Sequence, residues 1–441
     1  MGGPGNVGST TKPPRVTQPP CSQMLDFSPQ TWIRWQQARD ATKDIRHQIR
    51  ANADTNFLKV LSAFQTCQLS EAVLAGSTGY GYDDPGREGV DGLFAHVFGC
   101  ESAAVRLQWI SGTHAMACAL RGNLVSGQTL LAATGAPYDT LLPVIGVPDA
   151  CHGSLKAAGI GYKEVPLKDG LPDTQAVLQA LDETVGMVFL QRSRGYTWRE
   201  SFSLSVLGEL IAAIREKVGD QVVILVDNCY GEMVEQLEPT QIGADLAAGS
   251  LIKNLGATIV PTGAYVVGTE VAVERTLTAF TAPGLSGHVG PSLGLARSMA
   301  QALSMAPQTV AQSLEGLVVA SWLFEDAGFE TSPRWNEART DTIQAIQLGS
   351  VEGQRAFCKS VQSLGLVDAR ATPESVVQPG YRDPILMAGG TFIQGSSAEL
   401  SADGPERPPY VCYLQGGTSR MHVEVAALKA LEALRKIECH H

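Results

Sequence analysis

Two kinds of apolar pattern run along the 441-residue chain, and their order predicts its architecture. Between Phe27 and about Ser70, apolar residues recur at helical intervals: Trp32, Trp35 and Ala38, then Phe57, Leu58, Val60, Leu61 and Phe64. This predicts two amphipathic helices. From Ala72 to Arg87 the periodicity stops, and AGSTGYGYDDPGRE, rich in turn formers, reads as an ordered loop or as no structure. Short apolar runs then alternate with helical stretches. Strands are expected over 129–134, 159–165, 186–191, 222–227 and 264–268, with helices over 174–181 and 203–216. Strand and helix in this order predict an α/β fold whose mostly parallel sheet is covered on both faces. A break at TAPGLSGHVGPS (281–292) precedes a long helix over 293–326. The remainder mixes short strands, a Pro/Gly-rich stretch and a last helix from about His422 to Lys436.

The expected division is a disordered tail over 1–20, an N-terminal helical segment over 21–75, a large domain over 76–310 and a smaller C-terminal α+β domain over 311–441. The tail lacks the apolar stretch of a secretory signal, and the apolar runs at 221–226 and 259–267 are too short for a membrane span. Hydrophobic residues at 44% and charged residues at 17% allow a sizeable core and exclude a mostly disordered chain. A formal charge of -11 would repel a phosphate backbone, so nucleic acid is not an expected partner. Nine cysteines without a CxxC pair argue against a disulfide framework or a zinc cage and point to a reducing cytoplasm. His114 has no second His or Cys at ligand spacing, so no metal is expected.

The chemistry-bearing residues gather in the large domain. In VVILVDNCYGE, Asp227 ends a buried strand, where open α/β sheets place their ligand sites. Lys253 follows in SLIKN among small and apolar residues, where desolvation would depress its pKa. A neutral amine forms a Schiff base with an aldehyde. A lysine for the aldehyde and an acid for the pyridinium nitrogen are what pyridoxal 5'-phosphate requires. Ser111, Gly112 and Thr113 precede a helical run, where free backbone N–H groups and two hydroxyls suit a phosphate, and Ser250 is a further hydroxyl for it. Tyr138, in GAPYDTL, is a candidate to stack on the cofactor ring and transfer a proton. Singly, each has an ordinary reading: a turn aspartate, a snorkelling lysine, a helix cap. Their order and spacing together favour the cofactor. GYGYDDPG neither follows a strand nor has GxGxxG spacing, which argues against a nicotinamide cofactor.

From about Asn56 to the last helix, STGYGYDDPGRE, ISGTHA, PYDTL, VDNCYGE, GADLAAGSLIKN, VPTG, TAPG, MAPQ, RTDTIQAI and GTFIQGSSAELSADGPERPPY resemble the signature strings of the methionine gamma-lyase family, which includes the aluminium resistance proteins. The resemblance implies a pyridoxal phosphate enzyme of fold type I, aspartate aminotransferase-like, and a homotetramer built from catalytic dimers. It implies Lys253 as the Schiff-base lysine, Asp227 as the pyridinium partner, Tyr138 as the stacking tyrosine and Gly112 with Thr113 as the phosphate loop. It also implies that Tyr82 and Arg87 complete the site of the neighbouring subunit. The chain departs from the pattern after the lysine: NLGATIVPTGAY has Leu255, Ala257 and Thr258 in place of a proline and two glycines, and His288 stands where an acid is expected.

The expected reaction is a lyase-type β- or γ-elimination on a methionine-, homocysteine- or cysteine-type amino acid. Lys253 would move the Cα proton and Tyr138 would protonate the leaving group. Arg407 in SADGPERPPY is the first choice for the substrate α-carboxylate and Arg339 in ARTD the alternative, each equally open to a structural ion pair. Two alternatives stand beside this: γ-replacement or carbon–carbon bond formation from a vinylglycine-type intermediate, and a non-catalytic pyridoxal phosphate-binding protein. The expected partners are a small amino-acid substrate and further copies of this chain, as a dimer or tetramer with shared active sites.

Overall fold

The computed structural model describes residues 27–438; the proposed tail over 1–20 lies outside them. Helices Pro29–Ala41 and Lys43–Cys67 occupy the two N-terminal amphipathic runs, the first capped by Ser28, whose hydroxyl accepts from Thr31 N.

A seven-stranded sheet follows. Its order across is Ser102–Arg106, Ala264–Gly268, Leu246–Ser250, Val223–Asp227, Val185–Gln191, Thr129–Ala132 and Gly161–Glu164. The last five pair in parallel; Ala264–Gly268 is antiparallel to both of its neighbours, so the edge strand Ser102–Arg106 points the same way as the five. The central strands read as unbroken apolar runs because both faces are covered. Val188, Leu190, Ile224 and Val226 pack into one core layer, and Met187, Phe189 and Leu225 into the other. Burial of each such side chain stabilises the fold by roughly 1.5–3 kcal/mol.

The 31-residue helix Ala296–Asp326 packs on both Lys43–Cys67 and Arg420–Glu438. Its residues Leu303, Val310 and Leu314 belong to the core of the large sheet, whereas Leu317, Leu323 and Phe324 belong to a second core. That second core underlies a six-stranded antiparallel sheet, ordered Thr331–Ser332, Ile343–Gln347, Val411–Gln415, Ser401–Pro405, Ile385–Gly389 and Ser375–Val376. Among the described residues no helix is long and apolar enough to cross a membrane.

The turn-rich segment before the sheet is ordered. Asp84 caps the helix Pro85–Phe98 by accepting from Arg87 N at 2.9 Å, and its other oxygen accepts from the hydroxyl and amide of both Ser77 and Ser292. Burial pushes this carboxyl up, but those hydrogen bonds outweigh it and hold it well below the usual carboxylate range.

Candidate active site

A cavity of about 590 Å³ opens between the two sheets. Its floor is built by strand ends of the large sheet. Asp227, 2% exposed, closes the Val223–Asp227 strand, and one of its oxygens accepts from Cys229 N at 3.0 Å. Burial raises the Asp227 carboxyl, while Lys253 and Cys229 oppose the shift. Ser250 ends the adjacent strand, and Lys253 lies three residues beyond it.

The helix Gly112–Asn123 begins against the same floor. Ser111 is its N-cap, accepting from His114 N at 3.1 Å. A Cβ on Gly112 would come within 3.3 Å of the Ser250 Cβ and 3.5 Å of the Cys229 sulfur, so the absence of a side chain there lets the loop lie flat over Ser250 and Cys229. The result is a concave cradle of backbone N–H groups and the hydroxyls of Ser111, Thr113 and Ser250, which fits a phosphate. Thr113 Oγ1 lies 3.3 Å from the Tyr138 hydroxyl and 3.1 Å from Thr140 Oγ1, and the Tyr138 amide donates to Gln191 Oε1 at 2.8 Å. Burial holds the Tyr138 phenol well above its ordinary pKa, reinforced by Asp227. It is therefore protonated at neutral pH and able to donate.

Ser111, Gly112, Thr113, Tyr138, Asp227, Ser250 and Lys253 thus line one cavity, as a phosphate, a pyridinium nitrogen and an aldehyde held at fixed separations demand. Tyr82, Arg87, Arg339 and Arg407 are not among its lining residues. Tyr82 is 56% exposed. The Arg87 guanidinium is buried in its own chain, donating to the carbonyls of Gly81 at 2.6 Å and Gly290 at 3.0 Å. Arg339 is buried and donates to Gln344 Oε1 at 2.6 Å, and its Nε and Nη2 have no partner. Arg407 pairs with Asp383 and donates to the carbonyl of Tyr196, a lining residue.

The expectation of a depressed Lys253 pKa is corrected. Burial does pull it down, but Cys229, Tyr230, Asp227 and Glu232 together outweigh burial and hold the ammonium well above the ordinary lysine value. The structure also adds lining residues that sequence patterns had not singled out: Ser193 and Tyr196 from the loop after Val185–Gln191, Tyr230, Tyr381 from the loop before Ile385–Gly389, and Asp403, Tyr413 and Gln415 from the smaller sheet. A signal for the last three lies in the period-2 alternation of Ser401/Asp403 and Tyr413/Gln415, which places them on one face.

The sequence profile of the methionine gamma-lyase family matches residues 33–435. The uncharacterized protein YnbB of Bacillus subtilis is 44% identical over 392 residues, covering 88% of this chain and 93% of that protein. A carbon-sulfur lyase involved in aluminum resistance from Clostridium novyi superposes with a TM-score of 0.89 at 40% identity, covering 93% of this chain and 98% of the other. At 17% identity, the pyridoxal-5'-phosphate dependent protein YhfS from Escherichia coli still shares the fold, with a TM-score of 0.58 and coverage of 88% and 97%. The fold is that of the pyridoxal phosphate-dependent enzymes of fold type I, and the family and its similar structures mark the chain as a pyridoxal phosphate-dependent lyase. The chain belongs to the methionine gamma-lyase family.

Proposed function

We propose that the protein is a carbon–sulfur lyase acting by β- or γ-elimination on a methionine-, homocysteine- or cysteine-type amino acid. The observation that carries this reading is the convergence of Lys253, Asp227 and Tyr138 on one cavity beside a phosphate cradle. Bound pyridoxal phosphate supplies an electron sink for negative charge at the substrate Cα. In this reading Lys253 holds the cofactor aldehyde and its released amine takes the Cα proton. The Asp227 carboxylate keeps a proton on the ring nitrogen. The Tyr138 hydroxyl donates to the departing sulfur. Arg407, at the rim beside the Tyr196 carbonyl, is proposed to meet the α-carboxylate, with the buried Arg339 as the alternative.

The large unit over 76–310 then holds the cofactor and the smaller unit over 311–441 faces the substrate side chain. The reading includes a homo-oligomer in which Tyr82 and Arg87 reach the partner's site, working in the reducing cytoplasm with its thiols free. The test is incubation of the purified holoenzyme with methionine, homocysteine, cysteine and their thioethers, with 2-oxoacid and thiol measured together. Equimolar release of both is expected. Product formation that requires a second nucleophile would replace elimination by γ-replacement.

A further inference from the structure

Asn254, the residue after Lys253, is 1% exposed and has both N–H groups and the oxygen of its carboxamide engaged. Its Nδ2 donates to the carbonyls of Tyr230 at 3.0 Å and Glu232 at 2.9 Å, and its Oδ1 accepts from the Thr342 hydroxyl at 3.1 Å. Three segments therefore meet on one side chain: the turn that carries Lys253, the turn after the Val223–Asp227 strand, and the residue that leads into the Ile343–Gln347 strand of the smaller sheet.

The turn after Asp227 needs such a fastening. Tyr230 adopts φ 72, a left-handed backbone that an aromatic residue keeps only where its surroundings impose it. Its carbonyl is pinned from two sides, by Asn254 Nδ2 and by the Thr342 amide at 3.1 Å. The ring so placed lies against the Lys253 amine, 3.6 Å from nitrogen to centroid. Thr342 is also 1% exposed, and its segment is fixed at a second point: the Ser201 hydroxyl donates to Asp341, and Thr340 Oγ1 donates to the Ser201 carbonyl at 3.1 Å. On the other side of Thr342, Ile343 pairs with Gln415 and Ala345 with Tyr413. Ile343, Tyr413 and Gln415 all line the cavity. Breaking a link at the Asn254 carboxamide would leave a buried polar group unpaired, which holds these segments in one arrangement.

We infer that Asn254 is a positioning residue: through Thr342 it couples the cavity wall formed by the smaller sheet to the lie of the Lys253 amine over Tyr230. A substrate seated against Ile343, Tyr413 and Gln415 thereby sets the aim of the amine that takes its Cα proton. This rests on the reading of Lys253 as the cofactor lysine. The acids around Lys253 act on the charge of its amine, whereas Asn254 and Thr342 are neutral and act on its direction. Loss of the link therefore lowers kcat while leaving substrate binding in place.

Thr342→Val is nearly isosteric; it removes the hydroxyl that donates to Asn254 and leaves the Thr342 amide on Tyr230. Thr342→Ser keeps the hydroxyl, and Asn254→Ala removes all three links. Two readouts are taken on the holoenzyme. One is 2-oxoacid release from the sulfur amino acids, with kcat and KM separated; the other is the circular dichroism of the visible band per bound cofactor, which reports how rigidly the lysine holds the ring. Thr342→Val is expected to lower kcat by at least about tenfold with KM within about threefold of wild type, and to weaken the dichroism. Thr342→Ser should restore both, and Asn254→Ala should exceed Thr342→Val in both; if Asn254→Ala does not fold, the threonine pair decides. Unchanged dichroism in Thr342→Val overturns the proposal, whatever happens to its urea midpoint, and so does a Thr342→Ser protein as impaired as Thr342→Val. If no sulfur amino acid is turned over, the lyase reading fails separately, and the dichroism still decides the positioning role. Borohydride trapping with peptide mass spectrometry locates the cofactor link, and a link at a residue other than Lys253 overturns this proposal together with the assignment of the lysine.

Discussion

The Lys253 amine lies 3.6 Å from the centroid of the Tyr230 ring. Tyr230 is held there by its backbone: it adopts φ 72, and its carbonyl accepts from Asn254 Nδ2 at 3.0 Å and from Thr342 N at 3.1 Å. Thr342 immediately precedes a strand of the smaller sheet, so the platform beneath the reactive amine is tied to both sheets. A desolvated ammonium over an aromatic face gains up to about 2 kcal/mol, so this contact acts in the same direction as the raised Lys253 pKa.

The role proposed for Lys253 is tested first. The native protein is expected to be yellow, with an absorbance that shifts on borohydride reduction and leaves the cofactor covalently attached. Lys253→Ala should bind cofactor without a reducible covalent link. A borohydride-trapped adduct in that variant, located by mass spectrometry of its peptides, would assign the attachment to another residue.

Asp227→Asn keeps the shape of the side chain and an oxygen to accept from Cys229 N. The neutral amide cannot hold the ring nitrogen protonated. Cofactor is therefore expected to remain bound while turnover falls by several orders of magnitude, which single-turnover kinetics with saturating substrate would measure. Turnover within a few-fold of wild type would remove the electron-sink role.

How much of this was legible in the sequence depended on local patterning. The central strands were readable because burial on both faces makes them continuous apolar runs. Ser102–Arg106 was not, since SAAVR begins with a serine and ends in an arginine whose charge is met only in the fold, by Asp91. LAAGS, the Leu246–Ser250 strand, has small residues without β-branching and read merely as the surroundings of Lys253. SADGP forms a strand although Asp, Gly and Pro are turn formers, so the pattern concealed Asp403. The Lys253 pKa shift had the wrong sign for a related reason. Its apolar neighbours are adjacent in sequence, whereas the acids that overcome burial belong to the segment Asp227–Glu232 and arrive only through sheet pairing.

Glu232 provides a pH prediction. It is fully buried, accepts from the Tyr265 hydroxyl through Oε1 at 2.9 Å and has no partner for Oε2. Burial pushes it up to about 8 against an ordinary value of 4.5. Between these values the folded chain binds a proton that the unfolded chain has released. The contribution of Glu232 to stability is thus complete below about 4.5 and is lost as pH rises through about 8. Glu232→Gln, which cannot ionise, should flatten the decline in urea midpoint across this window. Parallel pH profiles for the two proteins would show that Glu232 is ionised in both states.

Where the family resemblance anticipates glycines, Ala257 and Thr258 adopt left-handed backbone, at φ 42 and φ 67. The main chain has kept a glycine-like course and carries the strain of a Cβ at each position, about 1–2 kcal/mol per residue. Thr258 is β-branched, the least tolerant type at such a dihedral. Thr258→Gly is expected to stabilise the fold by up to about 1 kcal/mol after the entropy cost of glycine, read as a higher urea midpoint at unchanged slope. A lower midpoint would mean that the threonine side chain contributes more than its backbone costs.

The shared-site proposal turns on the segment before the helix Pro85–Phe98. Arg87 is anchored to carbonyls of its own chain, so its removal would disturb the loop whichever site it serves. Tyr82 is the cleaner probe. It is 56% exposed and stacks only loosely on Tyr80, itself 77% exposed, at 5.6 Å between centroids, an aromatic pair left facing solvent by the single chain. Each of Lys253→Ala and Tyr82→Ala is expected to be nearly inactive alone. If Tyr82 serves the neighbouring subunit, a mixed dimer of the two variants contains one site with both residues intact, and co-refolding should restore activity. Differently tagged subunits, purified through both tags in turn, isolate the mixed species. Activity that stays at the level of the separate variants in that material would show that the tyrosine acts within its own chain and would end the shared-site proposal.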